Sequence, residues 1–260
     1  MKFILSCAGP LSLDLDGIET FFKSIFNAHP ALYDSTVLDI PWREVPTKPI
    51  LRIGIVPENP TFPLHPPVRR VLAEAVRVLE AQGHTLVPLD VEECQVMLAN
   101  EIAWNIFSLD HGALGHIQSA GEPPVPSLVH VGKVLEKLKT SVKLSLPDLS
   151  ELDRMGKLAY LNTRRAELRE IYRKMWVRHD LDICIAPSAQ NTAVAHDMFA
   201  IAPYTTFLNC LDVCFILSLF SSSTILTRTV SVLCHSIWES KWVRCPRNLQ
   251  VEGRSNCTAM

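Results

Sequence analysis

The stretch from Leu51 to Asp90 constrains the fold of this chain more than any other. Leu51-Arg-Ile-Gly-Ile-Val56 is a short apolar run closed by Pro57, the pattern of a buried strand. A loop carrying Pro60, Pro63, Pro66 and Pro67 follows. Val68, Val71, Leu72, Ala75, Val76 and Leu79 then share one helical face, and Arg69, Arg70, Glu74, Arg77 and Glu80 cover the other. Pro67 suits a first helical turn, and Gly83 suits the C′ position, where a left-handed backbone closes a helix. Thr85-Leu-Val-Pro-Leu89 reads as a second strand. Strand, helix and strand in this order predict two parallel strands joined by a right-handed crossover. The unit is scaffold, with no catalytic chemistry in it.

At 260 residues, 48% apolar and 20% charged, the chain has the composition of a foldable α/β protein. A net charge of −2 argues against a nucleic-acid partner, which would need a basic surface. Eighteen prolines against ten glycines punctuate the loops between periodic segments. The apolar core of Met1–Ala8 is too short for a signal peptide, so a cytoplasmic location with reduced thiols is expected. Among eight cysteines, Cys7, Cys94, Cys184 and Cys210 sit singly in periodic or apolar segments and read as small core residues. No Cys-x-x-Cys pair occurs, and no cofactor or metal is expected.

Either side of this unit the chain reads mainly as helices. Ile18, Phe21, Phe22, Ile25 and Phe26 define an amphipathic helix that starts near Asp14 or Asp16. Residues 29–50 read as an irregular connection. Glu92–Leu109 is predicted helical, the glycines and prolines of 112–126 break it, and a weaker helix covers Ser127–Leu146. Asp148 and Ser150 are the cap candidates for the longest helix, which runs to Arg178 with Leu158, Leu161, Leu168, Ile171, Tyr172 and Met175 near one face. Asp180–Pro187 is a second buried-strand pattern. A polar loop from Ser188 to Ala202 leads into a short helix, Pro203–Asp212.

In this order the pieces resemble the C-terminal half of the amidase signature family, most closely its fungal general-amidase and acetamidase branch. The resemblance rests on Ala8-Gly-Pro-Leu11 before an acidic helix start, on the Leu51–Val56 strand and on the proline loop into Pro67-Val-Arg-Arg-Val-Leu. It rests further on Gly83-His-Thr-Leu-Val, Leu181-Asp-Ile-Cys-Ile-Ala-Pro-Ser188 and Tyr204-Thr-Thr-Phe-Leu-Asn-Cys-Leu211. It implies an α/β fold, a partial amidase-like mixed sheet flanked by helices and incomplete relative to the full family fold. Residues 1–212 would be the C-terminal portion of that domain. The family hydrolyses carboxamides by acyl transfer, with a lysine, a bridging serine in a cis peptide and a nucleophilic serine. That machinery belongs to a Gly/Ser-rich stretch upstream of anything matched, and the chain has no Gly-Gly-Ser-Ser-Gly-Gly run. No catalytic residue carries over. By resemblance Ser188, Asn191, His196, Tyr204 and Phe207 lie near the acyl-binding side, and the partner implied is a small amide substrate.

Beyond Asp212 the character changes. Residues 213–260 hold four of the eight cysteines, no Asp and only Glu239 and Glu252, and no period of 2 or 3.6 is sustained from residue 221. Val213-Cys214 can be encoded by GTATGT, an intron-start sequence, and Leu226-Thr227 by a branch-point-like CTAAC. Read in the neighbouring frame from within Val232, codons permitted for Val232–Lys241 encode Ser-Phe-Ala-Ile-Pro-Phe-Gly-Lys-Val, whose end resembles the family's next strand. The expectation is a retained intron followed by out-of-frame sequence, and a poorly ordered tail. A membrane helix over 213–234 is disfavoured by its serines and Arg228.

Other constellations have plainer readings. His179, Asp180, Asp182, His196 and Asp197 lie in separate segments without ligand spacing, and read as polar residues flanking a strand. Ser188, His196 and Asp197 have the composition of a triad but no Gly-x-Ser-x-Gly elbow. Arg69-Arg70 and Arg164-Arg165 read as solvated helix faces. The function expected is that of a fragment of an amide hydrolase, inactive alone. The alternatives are a non-catalytic binding or interaction module that keeps half the fold, and an unrelated α/β protein with a membrane-touching tail.

Overall fold

Three parallel strands organise the molecule, with β1 (Arg52–Ile55) between β2 (Thr85–Pro88) and β3 (Ile183–Pro187). The computed structural model describes residues 3–4, 9–37, 39–43, 46–110, 112–213, 215–220 and 228–234. β4 (Phe215–Phe220) and β5 (Arg228–Cys234) extend the sheet, β5 antiparallel to β3 and β4 antiparallel to β5, so the order is β2-β1-β3-β5-β4 and the sheet is mixed. β5 lies in the stretch where no period was sustained. No helix among the described residues is long and apolar enough to cross a membrane. Cys7 lies outside the described residues.

The parallel strands are nearly continuous apolar runs because helices cover them. Ile183–Pro187 is buried throughout, and β1 buries Ile53 and Gly54. Gly54 stands opposite Cys184 in the ladder, and a Cβ there would come within 2.7 Å of Cys184 Sγ, so only glycine admits β3 at this distance. The crossover helix is α2 (Pro66–Ala81), which buries Val68, Val71, Leu72, Ala75 and Leu79, and Gly83 closes it at φ +86°. The β-α-β unit is thus present with the expected face and the expected ends.

α1 (Leu15–Asn27) starts at Asp14, whose carboxylate accepts from Gly17 N. The expected helix over Glu92–Leu109 is two helices, α3 (Val91–Cys94) and α4 (Val96–Phe107), separated by Gln95 in a left-handed conformation. Two residues apart in one helix, Cys94 and Val96 would point about 200° apart. The break lets both enter the core, at 0% and 1% exposure. Residues 112–119, read as a breaker region, form α5 (Gly112–Ser119), and α6 is Pro126–Ser141, ending short of Leu146. The longest helix, α7 (Arg154–His179), is capped by Asp153, which accepts from Gly156 N. Asp148, the expected cap, spends its oxygens on Ser150 N and Ser150 Oγ in a local turn. α8 is Pro203–Leu211, as expected.

The core lies between the parallel strands and α2, α4, α7 and α8, with Ile53, Ile102, Leu161, Met175, Ile183, Tyr204 and Phe207 among its buried side chains. Among the described residues none before Leu51 is buried.

Candidate functional site

β1, β2 and β3 run the same way, so the loops after β1 and β3 leave the sheet at one end. In open α/β sheets that end is where ligands bind. The ladder continues past β1 through Val56 N to Ile185 O (2.9 Å). The two loops then bind each other, His65 N donating to Gln190 O (2.8 Å) and Gln190 Nε2 to Pro63 O (3.4 Å).

The loop after β1 is held open by its own polar groups. Glu58 accepts from Leu64 N (2.9 Å) and from both Nε and an Nη of Arg69 at the start of α2. Those guanidinium bonds hold the Glu58 carboxyl below its usual range. Arg69 is solvated as expected, and is also half of a bidentate pair. The buried Asn59 turns the chain by accepting from Thr61 N (2.9 Å).

α8 follows the second loop in the chain and is fastened at both ends. At its start Asn100 Nδ2, in α4, donates to Pro203 O (3.0 Å). Tyr204 Oη accepts from Asn59 N (2.9 Å) and donates to Phe62 O (2.7 Å), which ties the helix to the loop after β1. Burial pushes the Tyr204 phenol up to about 12. At its end Arg165 of α7 donates through Nε to Cys210 O (2.6 Å), and also to Asn209 O and to the Asp212 carboxylate, which Arg169 bonds as well (3.1 Å). These bonds satisfy the terminal carbonyls that a helix leaves open. Phe207 packs on Tyr172, ring centroids 6.4 Å apart.

The five residues expected at the site therefore fall into two layers. Ser188 and Asn191 are half-buried on the loop at the end of β3, and His196 is exposed on it. Tyr204 and Phe207 lie beneath, both at 0% exposure, with the Tyr204 hydroxyl committed to two backbone partners. They face the interior, where Tyr204 holds the loop after β1 and Phe207 packs on Tyr172. Arg165, read as a solvated residue, is a correction, for it is 5% exposed. Its signal was in the spacing, since Leu161, Arg165, Leu168 and Tyr172 recur at 4, 3 and 4 and place Arg165 on the apolar face. Asn59 and Asn100 carry no pattern in the sequence and emerge only from the packing.

At the opposite end of the sheet, Asp182 accepts from Arg52 N and Lys48 Nζ (both 2.8 Å), and His179 meets Glu93 (3.2 Å). His196 stands on the loop at the other end of β3 and shares no cluster with them. No group of three metal-ligating side chains occurs among the described residues.

Comparison with known proteins gives this geometry a context. The amidase family model matches residues 1–230. An amidase of Gibberella moniliformis is 33% identical over 208 residues, covering 78% of this chain and 37% of its own. An acetamidase of Emericella nidulans is 27% identical, covering 80% of this chain and 38% of its own. The chain thus spans little more than a third of the length of these relatives. Among solved structures, fatty acid amide hydrolase superposes with a TM-score of 0.70 at 20% identity, over 87% of this chain and 44% of that one. The urea amidolyase of Kluyveromyces lactis superposes with a TM-score of 0.56 at 20% identity, over 86% of this chain and 13% of that one.

Proposed function

The chain belongs to the amidase family, and from that premise we propose that it supplies the substrate-side scaffold of a carboxamide hydrolase while its own residues do not complete the chemistry. What supports this reading above all is the arrangement at the end of the parallel strands, where the loops after β1 and β3 bond each other and Tyr204 ties a helix pinned at both ends to the first of them. In such a scaffold Ser188, Asn191 and His196 form the rim that an acyl group would approach. Tyr204 anchors the loop after β1, which in turn bonds the rim through His65 N and Gln190 O.

Acyl transfer to a serine needs a base to take its proton and donors for the developing oxyanion. The resemblance assigns both to a Gly/Ser-rich stretch, and no Gly-Gly-Ser-Ser-Gly-Gly run occurs in the sequence. The 260-residue chain is therefore expected to turn over acetamide, benzamide and a fluorogenic anilide no faster than buffer. Turnover above background by purified chain, abolished by a Ser188→Ala change, would overturn the proposal.

One observation favours a second reading, that of a non-catalytic binding module. The groups that fasten α8 and the loop after β1, among them Asn59, Asn100 and Arg165, all belong to this chain. Saturable binding of a carboxamide without turnover selects this reading, and absence of binding removes it.

A further inference from the structure

Between Asp110 and Leu146 the chain leaves the core and returns to it, and both ends of the excursion meet on α4. It departs from the buried Ile106 and Leu109 through a turn in which Asp110 accepts from Gly112 N (3.0 Å). α5 and α6 follow, and no described residue of either is buried. Ile117, Val131, Val134 and Leu135 are half-buried, yet the described residue of the pair that packs on the core cluster is Leu138, near the end of α6. At the start of α6, Leu128 and Val129 are 51% and 43% exposed. The return is fastened by a buried carboxylate. Glu101 is 3% exposed and accepts from Ser145 N (2.9 Å) and Leu146 N (2.8 Å), bonds of the stronger, charge-assisted class. Asn100, Glu101 and Trp104 lie within about 100° of one another round α4. Asn100 holds Pro203 O at the start of α8, Glu101 holds the returning chain, and Trp104 meets Phe62 of the loop after β1 edge-on, ring centroids 6.2 Å apart. One side of α4 therefore carries the site end of the sheet and the base of α5 and α6 together.

We propose that α5 and α6 form a hinged flap at the mouth of the site, with Glu101 as the latch that holds its base. The pair is tied down at its two ends and through Leu138. It can therefore open as a unit at less cost than α4 or α7, which bury whole faces. Its point of departure follows Trp104 and so lies beside Phe62, on the side of the sheet where His65 N bonds Gln190 O. α6 alone is about 24 Å long, enough to reach over those two loops. The proposal rests on the strand ends being the substrate side. Its test reads motion and uses no substrate, so a failure of binding or turnover leaves it standing.

Amide hydrogen exchange is measured on the 260-residue chain and on its Glu101→Gln variant. In the unaltered chain α5 and α6 should exchange together, at least about 10-fold faster than α7. Glu101→Gln keeps the shape of the side chain and removes one acceptor oxygen. It should speed exchange from Gly112 to Leu146 by roughly 10- to 100-fold, with α2 and α7 unchanged. His65 N should exchange faster in the same variant, because an open flap uncovers the rim. Ser145→Pro removes a donor and leaves α4 as it is, and should give the same pattern. If Glu101→Gln fails to fold, Ser145→Pro decides. Exchange in α5 and α6 as slow as in α7 overturns the proposal, and so do unchanged rates in the variants. Faster exchange that spreads equally to α2 and α7 makes Glu101 a prop of the core and overturns it as well. A loosened α5 and α6 with His65 unchanged places the arm away from the mouth, and the flap is then refuted.

Discussion

Tyr204 shows what a single side chain does at this site. Its ring is fully buried, and its hydroxyl both accepts from Asn59 N and donates to Phe62 O. A Tyr204→Phe change keeps the packing and strips both backbone groups of their partner in a place water does not reach. The expected cost is about 1–3 kcal/mol in urea unfolding, with faster amide exchange at Asn59 and Thr61. A change below about 0.5 kcal/mol would mean that the hydroxyl serves a ligand and not the fold. Residues differ in how well the sequence announces them. Tyr204 and Phe207 could be named from the resemblance, but their direction could not, because position on a short helix does not say which face the sheet covers. Arg165 is placed by its spacing with Leu161, Leu168 and Tyr172, a signal that its charge masks. Asn59 and Asn100 had no signal, since Asn59 N meets the Tyr204 hydroxyl and Asn100 Nδ2 meets Pro203 O, both far away in the chain.

At the scale of elements, periodicity located α1, α2, α7, α8 and the three parallel strands, and failed at ends and breaks. Asp148, Ser150 and Asp153 are equally good caps by residue type, and which of them starts α7 depends on the turn that Asp148 makes first. The kink at Gln95 has no glycine or proline to mark it, and follows from bringing Cys94 into the core. That core joins three elements through their thiols, Cys94 of α3, Cys184 of β3 and Cys210 of α8, around Tyr172 of α7, whose hydroxyl donates to Cys94 O. Burial pushes Cys94 and Cys210 up to about 12, and pushes Cys184 and Tyr172 up as well. In the unfolded chain the thiols ionise near 9. Above that pH the unfolded state therefore binds fewer protons than the folded one, so stability falls as pH rises. Each thiol contributes a loss of about 1.4 kcal/mol per pH unit between its unfolded and folded values. Unfolding free energy measured from pH 8 to pH 11 should drop steeply above 9, and a Cys184→Ala change should flatten the slope by about one thiol's share. A flat profile across this range would contradict the burial of these groups.

Across the whole molecule the sheet has two parts of different character. The strands from residues 52–88 and 183–187 are parallel and rest on the helical core, whereas those from 215–234 are antiparallel and follow the change in composition after Asp212. The family match runs through residue 230, so it takes in part of that stretch. We propose that residues from Val213 are encoded by a retained intron followed by out-of-frame sequence. The support is that Val213-Cys214 admits an intron-start encoding, Leu226-Thr227 a branch-point encoding, and the codons permitted from Val232 a strand-like peptide in the neighbouring frame. β5 pairs with β3 through this last segment, Val232 standing opposite Ile185. A spliced product would therefore offer an apolar run ending in Pro-Phe-Gly-Lys-Val to the sheet edge where β3 now meets β5. Sequencing the genomic region together with its transcripts should reveal a GT…AG intron that opens at the codons of Val213 and closes within that of Val232. Transcripts colinear with the gene across this stretch, with no such donor and acceptor pair, would remove the proposal. The 215–234 hairpin would then be the native edge of the sheet.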